Sequence, residues 1–301
     1  MLLVLFTSLL LAGCSPGDAG GADAPRVLRF AYLPSEEDPE GRVDATNELA
    51  DRLAHYTGME VEIIRAVSYA PTIEAMRAGK IDVIRSGGSF TYMIAHEKAG
   101  AEAIVAFGTS EGPGIYRSIL VASRGSGLET LDDLVERAAE VDFAFVNPAS
   151  TSGHLIPRAI LESRGVDPDE DFAELIYTMN HTNSAMTIVS GKVDAGALSY
   201  ESYRRLVDAG RIEADDLVIL HESDPIPTGP VMVHPSLPES VKQGIREAYL
   251  SLNERDDPLY EQMVQTYRQE DLTFYPATDA DWDGLRAIAQ GVDTMTMLPG
   301  R

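Results

Sequence analysis

The sequence predicts an α/β protein of two similarly built lobes, and three observations lead to this fold class. Short apolar runs alternate with segments whose apolar residues recur at helical spacing, a pattern typical of parallel sheets covered by helices. The segment Gly79-Lys80-Ile81-Asp82-Val83 returns in similar form as Gly191-Lys192-Val193-Asp194-Ala195, each time between a helical pattern and a short strand. At 301 residues the chain is long enough for two domains of ordinary size.

The first lobe is predicted from alternating signals near the start of the chain. Strands are expected at 27–33, 61–67 and 81–84, and helices at 43–56 and about 70–78. Gly58 and Gly79 stand where the two helical patterns stop, a position that favours glycine.

A new series of elements begins after an extended segment at 116–123 and predicts the second lobe. Its elements are expected at about 130–139, 141–146, 153–164, 174–178, 182–190, 193–198 and 217–221. The proline-rich run 224–230 predicts a rigid extended turn, and 231–233 a strand that returns to the first lobe. Helices are expected near 238–252, 258–267 and 279–290.

These patterns set the expected domain boundaries. The first lobe comprises 27–121 and 222–301, and the second lobe comprises 122–221. Two hinge-crossing segments, 116–122 and 226–233, join the lobes. A ligand would then bind in the cleft between them, at helix N-termini that follow the strand ends.

The N-terminus resembles that of a bacterial lipoprotein. Residues 1–11 are apolar apart from Thr7 and Ser8, too short to span a bilayer, and lead into Leu11-Ala12-Gly13-Cys14. This resemblance implies a signal peptide at 1–13, a lipid on the sulfur of Cys14 and a flexible tether at 14–26. No Lys or Arg precedes the apolar run, which leaves a wrong start codon or an atypical signal open. The expected location is the outer face of the cell membrane.

Charge and composition exclude several classes of partner. A net charge of −24, from 48 acidic and 24 basic residues, argues against nucleic acid and against an anionic membrane surface, so only the lipid is expected to contact the membrane. The six histidines are scattered without chelating spacing, so no metal site is expected. No P-loop pattern occurs, so ATP hydrolysis would belong to a separate subunit, and no cofactor is expected.

The stretch 147–157 is the strongest candidate for a binding site. Pro148 ends the strand 141–146, and the hydroxyls of Ser150, Thr151 and Ser152 follow where a helix begins. Unpaired N–H groups and the helix dipole at such a point favour an anion, and hydroxyls donate hydrogen bonds without adding negative charge. The alternative is an ordinary helix cap with additional serines.

Five short motifs resemble those of a known family, the phosphate, phosphite and phosphonate solute-binding proteins of ABC transporters. They occur in the family's order: Ser68-Tyr69-Ala70, Tyr116-Arg117-Ser118, Pro148-Ala149-Ser150-Thr151-Ser152-Gly153, Asn180-His181 and Ser199-Tyr200-Glu201. The resemblance covers about 27–282. It implies a periplasmic-binding-protein fold of type II, no catalysis, a monomer, and an ABC permease with its ATPase subunit as partners.

The same resemblance assigns roles to individual residues. It makes Ser150, Thr151 and Ser152 an oxyanion cradle that is joined by the hydroxyls of Tyr69 and Tyr116 and by the His181 ring. Three weaker cleft candidates come from position alone. Tyr92 and Tyr200 follow their strands at equivalent points of the two repeats, and His154, inside the first turn after Gly153, is equally well explained by a packing or solvent role. Closure of the lobes is expected to be a hinge motion in which the ligand selects the closed state.

Glu201 and Gly229 bear on the choice of ligand. In aminoethylphosphonate binders of this family, the position of Glu201 meets the ammonium group of the ligand. Those relatives also carry an acidic residue where this chain has Gly229, after Ile226-Pro227-Thr228. The loss of one carboxylate favours phosphite, phosphate or a small alkylphosphonate.

Two other functions are weighed against a receptor. Gly108-Thr109-Ser110-Glu111-Gly112 satisfies the G-x-S-x-G pattern of a lipid-anchored hydrolase, but Pro113-Gly114 would prevent the required turn into a helix. A binding protein for another anion or small solute, or an adhesion protein, would have the same composition.

Overall fold

The computed structural model describes residues 27–33, 39–66, 68–85, 88–267 and 269–292. The predicted signal peptide, Cys14 and the tether lie outside the described residues. Within the described part of the chain, no helix is long and apolar enough to cross a membrane.

The first part of the chain builds one sheet and its helices. Its elements are β1 (Val27–Tyr32), α1 (Pro39–Thr57), β2 (Glu60–Arg65), α2 (Tyr69–Arg77), β3 (Val83–Arg85), α3 (Ser89–Ala99), β4 (Glu102–Thr109) and β5 (Gly112–Pro113). β1 lies between β2 and β3 and is parallel to both. The predicted alternation of strand and helix is therefore present in this lobe.

The chain then crosses through β6 (Ile115–Tyr116) into a second sheet. The elements of this lobe are β7 (Ser118–Ser123), α4 (Leu131–Glu136), β8 (Asp142–Phe145), α5 (Ile156–Ser163), β9 (Glu174–Tyr177), α6 (His181–Val189), β10 (Ala195–Ser199), α7 (Tyr200–Asp208) and β11 (Leu217–Glu222). The strand order is β11-β7-β10-β8-β9, with β8, β9 and β10 parallel. The carboxyl ends of these three strands lie at the same end of the sheet, and the helical segments leading to α5, α6 and α7 begin there.

The return crossing completes the first lobe. It contains β12 (Ile226–Pro227), β13 (Val231–Val233), α8 (Glu239–Leu250), α9 (Pro258–Tyr267), β14 (Thr273–Pro276) and α10 (Asp283–Gly291). β13 inserts antiparallel between β3 and β4, and β14 pairs with β4 at the sheet edge. The first sheet therefore has the order β14-β4-β13-β3-β1-β2, with β5 paired to β4.

The two crossing segments, in which the hinge is expected, pair with each other. Tyr116 lies opposite Ile226, and Ile115 lies opposite Pro227, in the antiparallel ribbon of β6 and β12. The second sheet already begins at Ser118, so the predicted lobe boundary at residue 122 falls inside β7. The sequence does not mark this start, because residues 115–123 contain no Gly or Pro that would separate β6 from β7.

The repeated G-K-[IV]-D-[VA] motif has a structural reason that spacing alone did not reveal. Asp82 accepts a hydrogen bond from the backbone N–H of Arg29 at 2.8 Å, and Asp194 accepts one from the N–H of Asp142 at 3.0 Å. In return, the N–H of each aspartate donates to the carbonyl of the same partner. Each copy thus ties the start of one strand to the neighbouring strand in its own lobe.

One apolar cluster spans both lobes. It contains Ala149, Leu155 and Ile156 of the second lobe together with Phe90 and Trp282 of the first, all buried. The lobes are therefore in contact, and the segment 147–157 lies at the contact.

Candidate functional site

The candidate cradle is a tightly held loop between β8 and α5. Ser150 is the N-cap of a π-helical turn, Thr151–Leu155, and its hydroxyl accepts a hydrogen bond from the N–H of Gly153 at 3.0 Å. The N–H of Ala149 donates to the side chain of Asn147 at 3.0 Å. A Cβ on Gly153 would lie 2.4 Å from Val146, so glycine is required for the turn to pack on the end of the strand. π-Helical turns of this kind are frequent at functional sites.

All three cradle hydroxyls are buried at the lobe contact. Ser150, Thr151 and Ser152 are 3, 1 and 3% exposed. The Thr151 hydroxyl accepts a hydrogen bond from the N–H of Phe90, in α3 of the other lobe, at 2.9 Å. The carbonyl of Ser152 accepts from the hydroxyl of Ser118 at 2.6 Å. Since a hydroxyl that accepts one N–H keeps its own proton, Ser150 and Thr151 can still donate to a ligand.

His181 lies on the same sheet edge as the cradle. It is the first residue of α6, it is buried, and its Nδ1 accepts a hydrogen bond from the N–H of Ser199 at 3.0 Å. Because Nδ1 is an acceptor, the neutral ring carries its proton on Nε2 and can act as a donor there. Ser199 therefore fixes the tautomer that an oxyanion would need.

Thr182 follows His181 and was not found by sequence reasoning. Its side chain is 8% exposed, and its hydroxyl has no hydrogen-bond partner among the described residues. A threonine after a candidate histidine gives no distinctive signal in a sequence. Its burial at the start of α6 makes it a further candidate for the cleft.

The two tyrosines assigned to the first lobe pack in the apolar cluster that spans both lobes. Tyr69 is the first residue of α2 and is buried in the apolar cluster that contains Ala149. Tyr116, in the hinge strand β6, is half-buried and packs against the same cluster. Both rings thus take part in the apolar cluster that spans the lobes, and their contact with a ligand stays a prediction.

Glu201 occupies the start of α7, at the end of β10. Burial raises the pKa of its carboxyl group, although N–H groups of Glu201 and Arg117 and the charge of Arg205 act in the opposite direction. Its Oε2 atom is buried and has no partner among the described residues. Tyr200 precedes it, half-buried, with its ring 6.1 Å from that of Tyr203. Glu201 is therefore suited to receive a hydrogen bond from a ligand.

His154 does not point an available nitrogen at the cleft. It is fully buried, its Nδ1 is 3.0 Å from the carbonyl of Pro148, and its Nε2 accepts from Arg158 Nε at 3.2 Å. The Tyr177 hydroxyl is a further 3.3 Å neighbour of Nε2. Burial, followed by the Arg158 charge, lowers the pKa of His154 to about 4. Its place as a weaker ligand candidate is therefore corrected to a neutral residue that holds the cradle loop.

Tyr92 is likewise engaged within its lobe. The ring is fully buried, its centroid lies 5.0 Å from that of the tilted Trp282 ring, and its hydroxyl donates to Asp279 at 2.8 Å. Burial and this hydrogen bond raise the pKa of the Tyr92 hydroxyl. The sequence pattern placed Tyr92 beside a strand end. It could not show that α3 turns the ring towards Asp279 and Trp282, so Tyr92 is corrected from a cleft candidate to a packing residue.

The G-x-S-x-G segment forms the turn between two paired strands. Gly108 pairs with Pro113 and Thr109 with Gly112, so Ser110 lies in a β-hairpin, where its hydroxyl contacts the Asp271 carboxylate. A nucleophile elbow requires a strand that turns into a helix.

In the described part of the chain, His, Cys, Asp and Glu side chains form no group of three that could hold a metal ion.

Comparisons with known proteins agree on one family. The family described as ABC transporter, phosphonate, periplasmic substrate-binding protein matches residues 30–282. A phosphonates-binding periplasmic protein of Escherichia coli (strain K12) is 24% identical over 82% of this chain and 72% of its own length. The phosphate-import protein PhnD of Mycolicibacterium smegmatis is 26% identical over 93% of this chain and 92% of its own.

Solved structures show the same fold. The binding protein component of an ABC phosphonate transporter from Pseudomonas aeruginosa superposes with a TM-score of 0.77 at 24% identity, covering 88% of this chain and 86% of that one. PhnD1 of Prochlorococcus marinus, in complex with methylphosphonate, superposes with a TM-score of 0.76 at 16% identity, covering 89% and 98%. The predicted type II periplasmic-binding-protein fold is confirmed.

Proposed function

The chain belongs to the periplasmic substrate-binding proteins of phosphonate ABC transporters, and we propose that it captures a small phosphorus oxyanion between its lobes and delivers it to an ABC permease. The family consists of transport proteins that bind a small ligand outside the cytoplasm. They work with a permease and its ATPase subunit. The ligand, its contacts and the membrane anchor of this chain are the parts that we propose.

The observation that supports the proposal most strongly is the burial of Ser150, Thr151 and Ser152 at the lobe contact. Their hydroxyls lie at the start of a helical segment, where backbone N–H groups and the helix dipole favour an anion. Hydrogen bonds to a charged group contribute roughly 1.5–3 kcal/mol each, so a few such bonds can support micromolar binding after the cost of association. His181, with its tautomer set by Ser199, supplies a further donor.

Phosphite, phosphate or a small alkylphosphonate is the ligand class that we favour. Gly229 is buried in the return crossing and offers no carboxylate where aminophosphonate binders carry an acid. The relatives above are named for phosphonates and for phosphate, and one of the similar structures holds methylphosphonate, which supports this class.

A phosphonate with an amino group is the second candidate, and Glu201 is the observation that favours it. The buried, unpartnered Oε2 of Glu201 would be stabilised by a donor on the ligand. An ammonium group or a protonated phosphorus oxygen would supply one. The two ligand classes therefore differ in the group that they place against Glu201 Oε2: an ammonium group in an aminophosphonate, or a protonated phosphorus oxygen in the other class.

Calorimetric titration tests the proposal directly. The body of the protein, residues 18–301, is purified free of bound ligand and titrated with phosphate, phosphite, methylphosphonate and 2-aminoethylphosphonate. Binding of one of the four with micromolar or lower Kd is expected. A folded protein that binds none of them contradicts the proposal.

We also propose that Cys14 is lipidated and holds the protein at the outer face of the membrane. Mass spectrometry of the full chain from bacterial membranes should find a lipid on Cys14 and no residues before it. Cys14→Ser should release the protein from the membrane fraction, and an unmodified Cys14 would contradict this part of the proposal.

A further inference from the structure

We propose that helix α3 of the first lobe orients the Thr151 hydroxyl towards the ligand, with Thr91 as the positioning residue that holds the two lobes in register. This inference rests on the proposed function, because it concerns how the same cradle reaches its binding geometry. It adds Thr91 and Gly88 of the first lobe to a cradle whose serine and threonine hydroxyls come from the second lobe.

The N-terminus of α3 is capped by a residue of the other lobe. Its own N-cap is Gly88, which makes no side-chain hydrogen bond to the helix. The oxygen that accepts the N–H of Phe90, at 2.9 Å, is the hydroxyl of Thr151. A cap oxygen normally comes from a Ser, Thr, Asp or Asn side chain at the N-cap of the same helix. Thr151 takes that role across the cleft.

A second hydrogen bond runs in the opposite direction. The hydroxyl of Thr91 donates to the carbonyl of Ala149 at 2.8 Å, and both residues are buried, at 0 and 1% exposure. Ala149 and Thr151 flank the first serine of the cradle. The two bonds therefore fix the loop at both sides of Ser150.

The space around Gly88 matches this arrangement. A Cβ on Gly88 would lie 2.1 Å from the Thr151 hydroxyl oxygen and 2.9 Å from its Cβ. Gly88 has φ −70°, a conformation open to any residue, so its backbone does not require glycine. The close approach of Thr151 is what requires a glycine at position 88.

These contacts determine where the Thr151 proton points. Because its oxygen accepts the Phe90 N–H, the hydroxyl proton is directed away from α3 and is available to an oxyanion. Gly88 to Thr91 and Ala149 to Thr151 belong to different lobes, so an opening of the cleft that separates α3 from the cradle loop breaks both bonds. In an open form the same groups meet water, and the closed form alone loses stability when a partner is removed.

Thr91→Val removes the donor to Ala149 with little change of shape. We expect it to raise the Kd of the anion that binds wild type by about ten-fold or more, since a buried carbonyl is then left unpaired in the closed form only. Thr91→Ser, which keeps the hydroxyl, should stay within about three-fold of wild type. The matched control is Thr57→Val, whose hydroxyl donates to Leu53 within α1. It should leave the Kd unchanged.

Gly88→Ala provides an independent measurement of closure. Small-angle scattering with saturating anion should show a smaller radius of gyration for wild type than without anion. Gly88→Ala should keep the larger radius of gyration at saturating anion, because its new methyl group and the Thr151 side chain cannot both fit between α3 and the cradle loop.

The outcomes separate this inference from the proposed function. If wild type binds none of the four anions, both fail. If wild type binds but Thr91→Val has the same affinity as wild type, or Gly88→Ala closes fully, the inference fails and the receptor function stands. If Thr91→Val and Thr91→Ser weaken binding equally, the hydroxyl is not the cause and the inference is likewise wrong.

Discussion

Acid should destabilise this protein through His154, and the effect can be isolated with one variant. His154 lies at the centre of a buried network in the second lobe. Its Nε2 accepts from Arg158, which is paired with Asp169 through two 3.0 Å bonds and lies 5.5 Å over the Phe145 ring. Glu162 contacts the same guanidinium at 3.4 Å. A proton on His154 would face the Arg158 charge and break the bond from it.

The pKa of His154 sets the size of the effect. It is lowered from 6.5 to about 4, first by burial and then by the Arg158 charge. As the pH falls, His154 therefore takes up a proton near pH 6.5 in the unfolded chain, but only at about pH 4 in the folded chain. The stabilising contribution is complete above pH 6.5 and is lost as the pH falls to about 4, and it amounts to about 3 kcal/mol.

Denaturant titrations of wild type and His154→Gln between pH 7 and pH 4 measure this contribution. The variant should be less stable at pH 7, because its amide replaces the ring poorly. Its free energy of unfolding should fall by about 3 kcal/mol less than that of wild type over the range. Carboxyl groups whose pKa is also shifted, such as Glu162, titrate in both proteins and largely cancel in the difference.

His55, which is exposed on α1, offers the matched control. His55→Gln should follow the wild-type curve at every pH. Parallel curves for wild type and His154→Gln would show that His154 is not held neutral, and the reasoning about the network would be wrong.

Two further predictions concern the ligand and the packing of helices. Glu201→Gln should weaken 2-aminoethylphosphonate by about ten-fold or more and methylphosphonate by less than about three-fold, because only the first offers an ammonium group to Oε2; equal losses in calorimetry would contradict this role. Gly244→Ala should lower the free energy of unfolding by about 1–3 kcal/mol in urea titrations, because its Cβ would lie 2.6 Å from the Tyr56 carbonyl between α8 and α1. Gly284→Ala, with no atom within 4 Å of the new Cβ, should be neutral or stabilising, and a similar loss in both variants would show that packing is not the cause.

Local signals in the sequence were sufficient for the fold class and for the helical turn that begins after Ser150. The strand and helix periods, the glycines that end helices and the hydroxyls after Pro148 all act within a few residues of the chain. The family motifs added the type II fold, which the comparisons confirm. The carboxyl ends of the parallel strands β8, β9 and β10 then explain why the cradle, His181 and Glu201 lie at one end of the sheet, although Ser150 and Glu201 are 51 positions apart in the chain.

The rest depended on partners that no local pattern identifies. His154 was weighed as a donor because it follows the cradle, but Arg158 and the buried carbonyl of Pro148 engage both of its nitrogens. Thr151 was assigned to the ligand alone, because nothing in the sequence shows that the N-terminus of α3 would lie against it. A buried group is defined by what packs on it, and that information is distributed along the whole chain.

The central claim is that the Ser150 to Ser152 loop binds a phosphorus oxyanion, and one calorimetric comparison tests it most directly. Wild type and the double variant Ser150→Ala with Thr151→Ala are titrated with the same four anions, and circular dichroism checks that both are folded. Binding by wild type and loss of detectable heat in the folded double variant are the predicted results. Unchanged affinity in the double variant would place the ligand elsewhere and contradict the account.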